Sequence, residues 1–363
     1  MNCAANDYGR TPTIRRILTM NLDKRLSTYS SVSTGLSLLS NLQLMDRLDK
    51  ARPLGASIGG ITSLLEINDT FVFVKQIPLT DIEREPQNIL STANVFNLPT
   101  YCQYGIGSPG FGVWREIAAH IMSTNWVIAG ECPNFPLMYH WRVLASSEST
   151  PNEALERNSA CLNEFVEVRA RLDAMQGASS SIVIFLEYFP HNVHQWLSQE
   201  VSTGKQTAEA ACIMVEENLK AITSFINLRG MLHFDAHFWN ILTDGEQLYF
   251  TDFGLAISSG FALSKAERDF FKQHHRYDEC YTITHLVKWL LIELFGEENW
   301  WGILHEYVSG TVQEILPPGI SAIIVRYAPI CIVMTNFFEQ LKLAPASTPY
   351  PVDELGRLCE GIQ

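Results

Sequence analysis

The chain predicts an α+β fold, with a small antiparallel sheet ahead of a mainly helical region. Three observations carry this. β-prone runs at Leu64–Ile67 and Phe71–Ile77 flank the turn pair Asn68-Asp69. Helical periodicity dominates the second half, in Thr207–Arg229 and Tyr281–Phe295. Between those helices, Leu232–Ile257 reads LHFDAHFWNILTDGEQLYFTDFGLAI. There Ile241–Thr243 and Leu248–Phe250 are strand-like and meet across Asp244-Gly245. A loop, a short hairpin and a second loop follow, and they hold Asp235, Asn240 and Asp252 close together.

Composition bounds the answer. The chain has 363 residues, enough for two lobes or two domains. With 47% hydrophobic and 18% charged residues, it is expected to pack a core. A net charge of −13 argues against nucleic-acid or anionic-membrane partners. MNCAANDYGRTPTIRR lacks the apolar segment of a secretory leader. Ile320–Met334 is the nearest approach to a membrane span, but it is short and contains Arg326 and Pro329. Eight scattered cysteines without a C-x-x-C pair are expected to be reduced thiols in a cytoplasmic protein, not zinc ligands.

Arg10–Arg16 and the Leu22, Leu26 spacing are weakly helical. Leu36, Leu38, Leu39, Leu42, Leu44, Met45 and Leu48 predict one amphipathic helix, ended by Arg52-Pro53. Gly55, Gly59 and Gly60 come next; glycines let backbone amides approach phosphates closely. The run Phe71–Pro78 carries Lys75. Glu83 and Glu85 precede Pro86, which interrupts a helix there. Asn97–Gly112, rich in Gly, Pro and Tyr, reads as a loop. Trp114–Trp126 is helical: Trp114, Ile117, Ala118, Ile121 and Met122 form a stripe, with Glu116 and His120 on the other face. Phe135–Leu144 reads as a strand. Ser146–Ser181 reads as an insertion, with a rough helical spacing from Leu155 to Leu172 and a flexible end at Gly177–Ser181.

Ile182–Phe189 is an apolar strand running into Pro190. His191 and His194 lack a third ligand, so solvated histidines are expected rather than a metal site. Gly230 stops the helix Thr207–Arg229. His233-Phe-Asp235-Ala-His237-Phe-Trp-Asn240 has the form H-x-D-x-x-x-x-N, and Asp252-Phe253-Gly254 follows. This set suits phosphoryl transfer from ATP, which needs positioning and charge neutralisation. Asp235 is placed to orient an attacking hydroxyl, while Asn240 and Asp252 supply oxygen ligands for Mg²⁺. Ser264-Lys-Ala-Glu267 is a capping box. His274-His275-Arg276 reads as a solvated charged turn, and Ala344–Pro351 as extended.

The catalytic-loop pattern and the D-F-G triplet resemble the protein-kinase-like superfamily. That family joins eukaryotic-type Ser/Thr protein kinases with aminoglycoside and choline phosphotransferases. The resemblance is strong at 232–257, fair at 54–77 and 182–197, and weak elsewhere. It implies a two-lobed protein-kinase-like fold. A helical extension would span 1–52. The N-lobe would span 53–187, with an insertion at about 146–181. The C-lobe would span 188–345, and an extended tail 346–363.

By the same resemblance Asp235 is the catalytic carboxylate and His233 supports its loop. Asn240 and Asp252 hold Mg²⁺. Lys75, paired with Glu116, holds the α- and β-phosphates of ATP beneath Gly55, Gly59 and Gly60. These glycines depart from the family's G-x-G-x-x-G. Glu187 and Phe189 fall in the interlobe hinge, where adenine binds. Asp278 braces the catalytic loop. The implied activity is transfer of the γ-phosphoryl to a hydroxyl, foremost Ser/Thr of a protein. His237 and the missing A-P-E favour the alternative, a small-molecule kinase. A non-catalytic pseudokinase is the third reading.

Overall fold

The computed structural model describes residues 12–57, 60–145, 165–312 and 316–361. The protein is α+β with a small antiparallel sheet. Its five strands are β1 (Arg52–Ser57), β2 (Gly60–Ile67), β3 (Thr70–Leu79), β4 (Met138–Ala145) and β5 (Ser180–Glu187), in the order β1-β2-β3-β5-β4. Period-two alternation explains β3. Val72 and Val74 point to one face; Phe73, Lys75 and Ile77 point to the other. Lys75 stands opposite Thr62 on β2 and Ile184 on β5. β5 is buried along Ile182–Leu186 because both of its faces are covered.

The cover on one face comes from α1 (Pro12–Ser37) and α2 (Asn41–Asp49). Val32, Leu36 and Leu44 join Val72, Val74, Val183 and Phe185 in the main core. The single amphipathic helix expected around Leu36–Leu48 is therefore two helices. The break falls at Ser40, whose side chain and that of Gln43 cap α2 reciprocally. Leu38 and Leu42, counted toward the apolar stripe, are exposed.

The other face is covered by α4 (Val113–Ile128), which follows the short α3 (Asp81–Arg84) and a 3₁₀ turn at Thr100–Tyr104. Val113, Trp114 and Ile117 pack on Ile77, Leu79, Ile182 and Ile184. Residues 146–164 of the expected insertion lie outside the described residues. Its remainder forms α5 (Val166–Gln176), and Ser180 already begins β5, so 177–181 is not a loose end.

The helical region contains α6 (Val193–Thr203), α7 (Lys205–Leu228), α8 (Lys265–Gln273), α9 (Tyr277–Phe295), α10 (Trp300–Ser309), α11 (Pro318–Leu343) and α12 (Val352–Glu360). α9 buries residues around its whole circumference, as a central helix must. By length and composition, α11 is long and apolar enough to cross a membrane. The apolar stretch continues past Met334, so the sequence reading undercounted it. Half of that window is buried inside the protein, where α11 packs on α7, α9 and α10. The expected extended tail 346–363 holds no helix or turn at 348–351 but is helical from Val352: Leu355 and Cys359, one helical turn apart, are buried and dock α12.

Two small sheets sit between these parts. β6 (His191–Asn192), β8 (Ile241–Thr243) and β9 (Leu248–Phe250) form one, and β7 (Met231–Leu232) pairs with β10 (Ile257–Ser258) in the other. They pin both ends of the segment between α7 and α8.

Candidate active site

Local geometry places the functional side chains. β7 ends at Leu232, and the chain turns through Phe234 at φ 64°, a left-handed conformation costly for a bulky residue. The turn is held from behind. The buried Asp278 carboxylate accepts the His233 N–H at 2.6 Å and the Phe234 N–H at 2.9 Å. Burial pushes Asp278 up to about 6, against the pull of those two donors. His233 is also buried. Its Nδ1 accepts the Asp235 N–H at 3.3 Å, leaving Nε2–H to donate to the Thr251 carbonyl at 2.9 Å. The ring thereby ties the loop that carries Asp235 to the strand end before Asp252. Burial lowers its pKa to about 4, so the imidazole is neutral.

The structure brings Asp235, Asn240, Asp252, Lys75 and Glu116 to one cavity of about 400 Å³. Asn240 Nδ2 donates to the Asp235 carboxylate at 2.9 Å and to its backbone carbonyl at 3.1 Å. Lys75 Nζ lies 2.7 Å from Glu116 Oε1 and 2.7 Å from Asp252 Oδ1. Burial alone would lower the Lys75 pKa; Asp252 and Glu116 outweigh it and hold the ammonium charged. Burial would raise Asp252, but Lys75 outweighs this and holds it at about 2. Asp235 behaves in the opposite way. Burial, then the Asp252 charge, pushes it up to about 8. Of the two neighbouring carboxylates Asp252 is thus the anion, and Asp235, raised by burial and by that charge, is the more basic. His237 Nε2 stands 3.7 Å from Asp235 Oδ1.

Other predicted residues lie apart from this cavity. Gly59 is outside the described residues. Gly55 is exposed. Gly60, at φ 123°, sits where a Cβ would come within 2.1 Å of the Gln76 carbonyl, so close packing on β3 explains that glycine. The Glu187 carboxylate is gripped by Arg25 of α1 at 2.7–3.2 Å, and the Phe189 ring stacks on Tyr249 with centroids 3.9 Å apart. Neither residue lines the cavity. His120 is not solvated but fully buried beside Phe253, and neither ring nitrogen has a hydrogen-bond partner among the described residues. His191 is exposed as expected, whereas His194 is half-buried: it stacks on Trp239 and accepts from Trp289 Nε1 at 3.0 Å. His274, expected in a solvated turn, is buried and bonds the Tyr104 hydroxyl at 2.6 Å.

Sequence reasoning passed over one wall of the cavity. Gly105, Ser108, Pro109, Gly110 and Gly112 line it, and the segment reads Gly105-Ile-Gly107-Ser-Pro-Gly110-Phe-Gly112. The G-x-G-x-x-G spacing sought at Gly55–Gly60 is present here, immediately before α4, within a stretch read only as a loop. All four glycines have positive φ. At Gly110 a Cβ would meet the Gly254 carbonyl at 3.0 Å. The segment is also stitched to the chain after Asp252-Phe253-Gly254. Gln103 Nε2 donates to the Leu255 carbonyl, the Ala262 N–H donates to Thr92 Oγ1 at 2.8 Å, and Arg115 pairs with Glu267 at 2.6 Å. Glu83, an alternative partner for Lys75 in the sequence, anchors the start of α4 through the Val113 N–H at 2.9 Å.

Among the described residues no group of three or more His, Cys, Asp or Glu forms a metal cage. Asn240 and Asp252 offer one carbonyl and one carboxylate oxygen. That donor set fits Mg²⁺, which keeps several waters and takes phosphate oxygens to complete its shell. The chain matches no protein-family model and no curated protein.

Proposed function

We propose that the protein is an ATP- and Mg²⁺-dependent phosphotransferase of two-lobed, protein-kinase-like architecture. It would move the γ-phosphoryl to a hydroxyl, foremost Ser/Thr of a protein. The observation that carries this reading is Lys75 held between Glu116 and Asp252 in the cavity that also contains Asp235 and Asn240.

In this reading Lys75 binds the α- and β-phosphates, and Glu116 fixes the ammonium. Asn240 and Asp252 would hold Mg²⁺, which would supply charge neutralisation for the phosphates. The acceptor oxygen attacks the γ-phosphorus, the bond to the β–γ bridging oxygen breaks, and the hydroxyl proton passes to Asp235. Asn240 Nδ2 aims that carboxylate, and His233 keeps its loop in register. In this reading Gly105, Gly110 and Gly112, which line the cavity, face the phosphates in place of Gly55 and Gly60.

A small-molecule acceptor is the second reading, and His237 beside Asp235 favours it.

The test is incubation with γ-labelled ATP and Mg²⁺, with and without a cell extract, beside Asp235→Ala and Asp252→Ala. Label on proteins supports the first reading, and label in a small product supports the second. Both variants are expected to fold and to lose transfer by at least about 10³-fold. Undiminished transfer in both would sink the proposal.

A further inference from the structure

We infer that Cys280 of α9 and Cys359 of α12 form a redox-active dithiol, a covalent modification site that clamps α12 behind the catalytic loop. Their sulfurs lie 3.6 Å apart and both side chains are buried. Among the described cysteines no other two sulfurs are in contact. A disulfide requires roughly 2.0 Å, so bond formation needs a closure of about 1.5 Å.

The two thiols differ in their setting. Cys359 lies on the nine-residue α12 and Cys280 within the packed α9, so Cys359 is the sulfur an oxidant reaches when α12 lifts locally, and Cys280 is the resolving one. With a low-molecular-weight disulfide as oxidant, the Cys359 thiolate attacks one of its sulfurs. The oxidant's S–S bond breaks and one small thiol leaves. Cys280 then attacks Cys359 in the mixed disulfide and displaces the second small thiol. Two electrons and two protons pass from the protein to the oxidant.

The site has a structural reach. Cys280 lies two residues beyond Asp278, whose carboxylate holds the His233 and Phe234 amides. The bond would tie α12, across 79 residues of chain, to the helix that anchors the loop carrying Asp235.

The full chain is treated with glutathione disulfide, alkylated without reduction, digested and analysed by mass spectrometry. A peptide joining Cys280 to Cys359 is expected, with two fewer alkylated thiols. The melting midpoint should rise by several degrees and return with dithiothreitol. Cys359→Ala, which leaves the packed centre of α9 intact, should show neither the linked peptide nor the shift. Three results would overturn the inference. Both thiols could remain alkylated after the oxidant. A mixed disulfide could persist on Cys359 without reaching Cys280. The link could form and leave the melting midpoint unchanged. None of these readouts depends on phosphoryl transfer.

Discussion

Two glycine-bearing segments face different fates in this protein. Gly55 on β1 and Gly60 on β2 belong to one hairpin, ahead of the lysine strand, where chain order alone favours a phosphate loop. Gly105–Gly112 lies in an irregular stretch before α4, yet Gly105, Gly110 and Gly112 line the cavity that contains Lys75, Asp235 and Asp252. In the first segment Gly60 serves the packing of β2 on the Gln76 carbonyl. In the second, Gly110 lets the backbone pass against Gly254, next to Asp252. A glycine records that something comes close; only the fold says whether the neighbour is another strand or a ligand cavity.

Substitutions sharpen this contrast, beginning with the largest effect. Gly110→Ala should cut phosphoryl transfer by about 10²-fold, because a shift of about 1 Å in a cavity wall misplaces the reacting groups. The check is kcat/KM alongside a melting curve; a variant with ordinary turnover would remove the 105–112 loop from the site. Gly60→Ala should act on stability instead, costing about 2 kcal/mol through overlap with β3. Folded protein recovered from that variant should retain the proposed transfer activity, and a selective loss of it would return the phosphate role to the hairpin.

His120, on the helix that the glycine loop introduces, gives a smaller effect with a pH signature. Burial, then Lys75, lowers its pKa from 6.5 to about 3, so the native protein binds fewer protons than the unfolded chain between those values. Its contribution is therefore lost as pH falls below about 6.5. His120→Leu should gain about 1 kcal/mol at neutral pH by removing an unpartnered polar ring. It should also flatten the acid limb of stability, read from urea melts between pH 4 and 7. An unchanged acid limb would show that the ring is hydrogen-bonded in solution. Gly55→Ala should be the mildest change, within about 0.5 kcal/mol and without effect on turnover.

The same contrast explains what the sequence revealed. The closeness of Asp235, Asn240 and Asp252 is legible because a short hairpin encodes it. Lys75 with Glu116 is legible only through element order, since 41 residues separate them. Arg25 with Glu187, separated by 162 residues, leaves no periodic or motif signal. His120 escaped because α4 is buried on more than its apolar stripe, so the polar face of a helical wheel does not mean solvent. The 105–112 glycines were visible, but their neighbours carried no strand or helix pattern to mark the segment as more than a connection.

The Arg25 grip on Glu187 bears on the order of assembly. Arg25 also donates to the Pro133 and Phe135 carbonyls, and its guanidinium lies 5.0 Å from the centre of the Tyr249 ring. Its partners therefore come from three stretches that are synthesised long after α1. Such a contact has high sequence separation and forms only once those stretches are in place. α1 is thus expected to be a late arrival in folding, so substituting Arg25 should speed unfolding far more than it slows refolding.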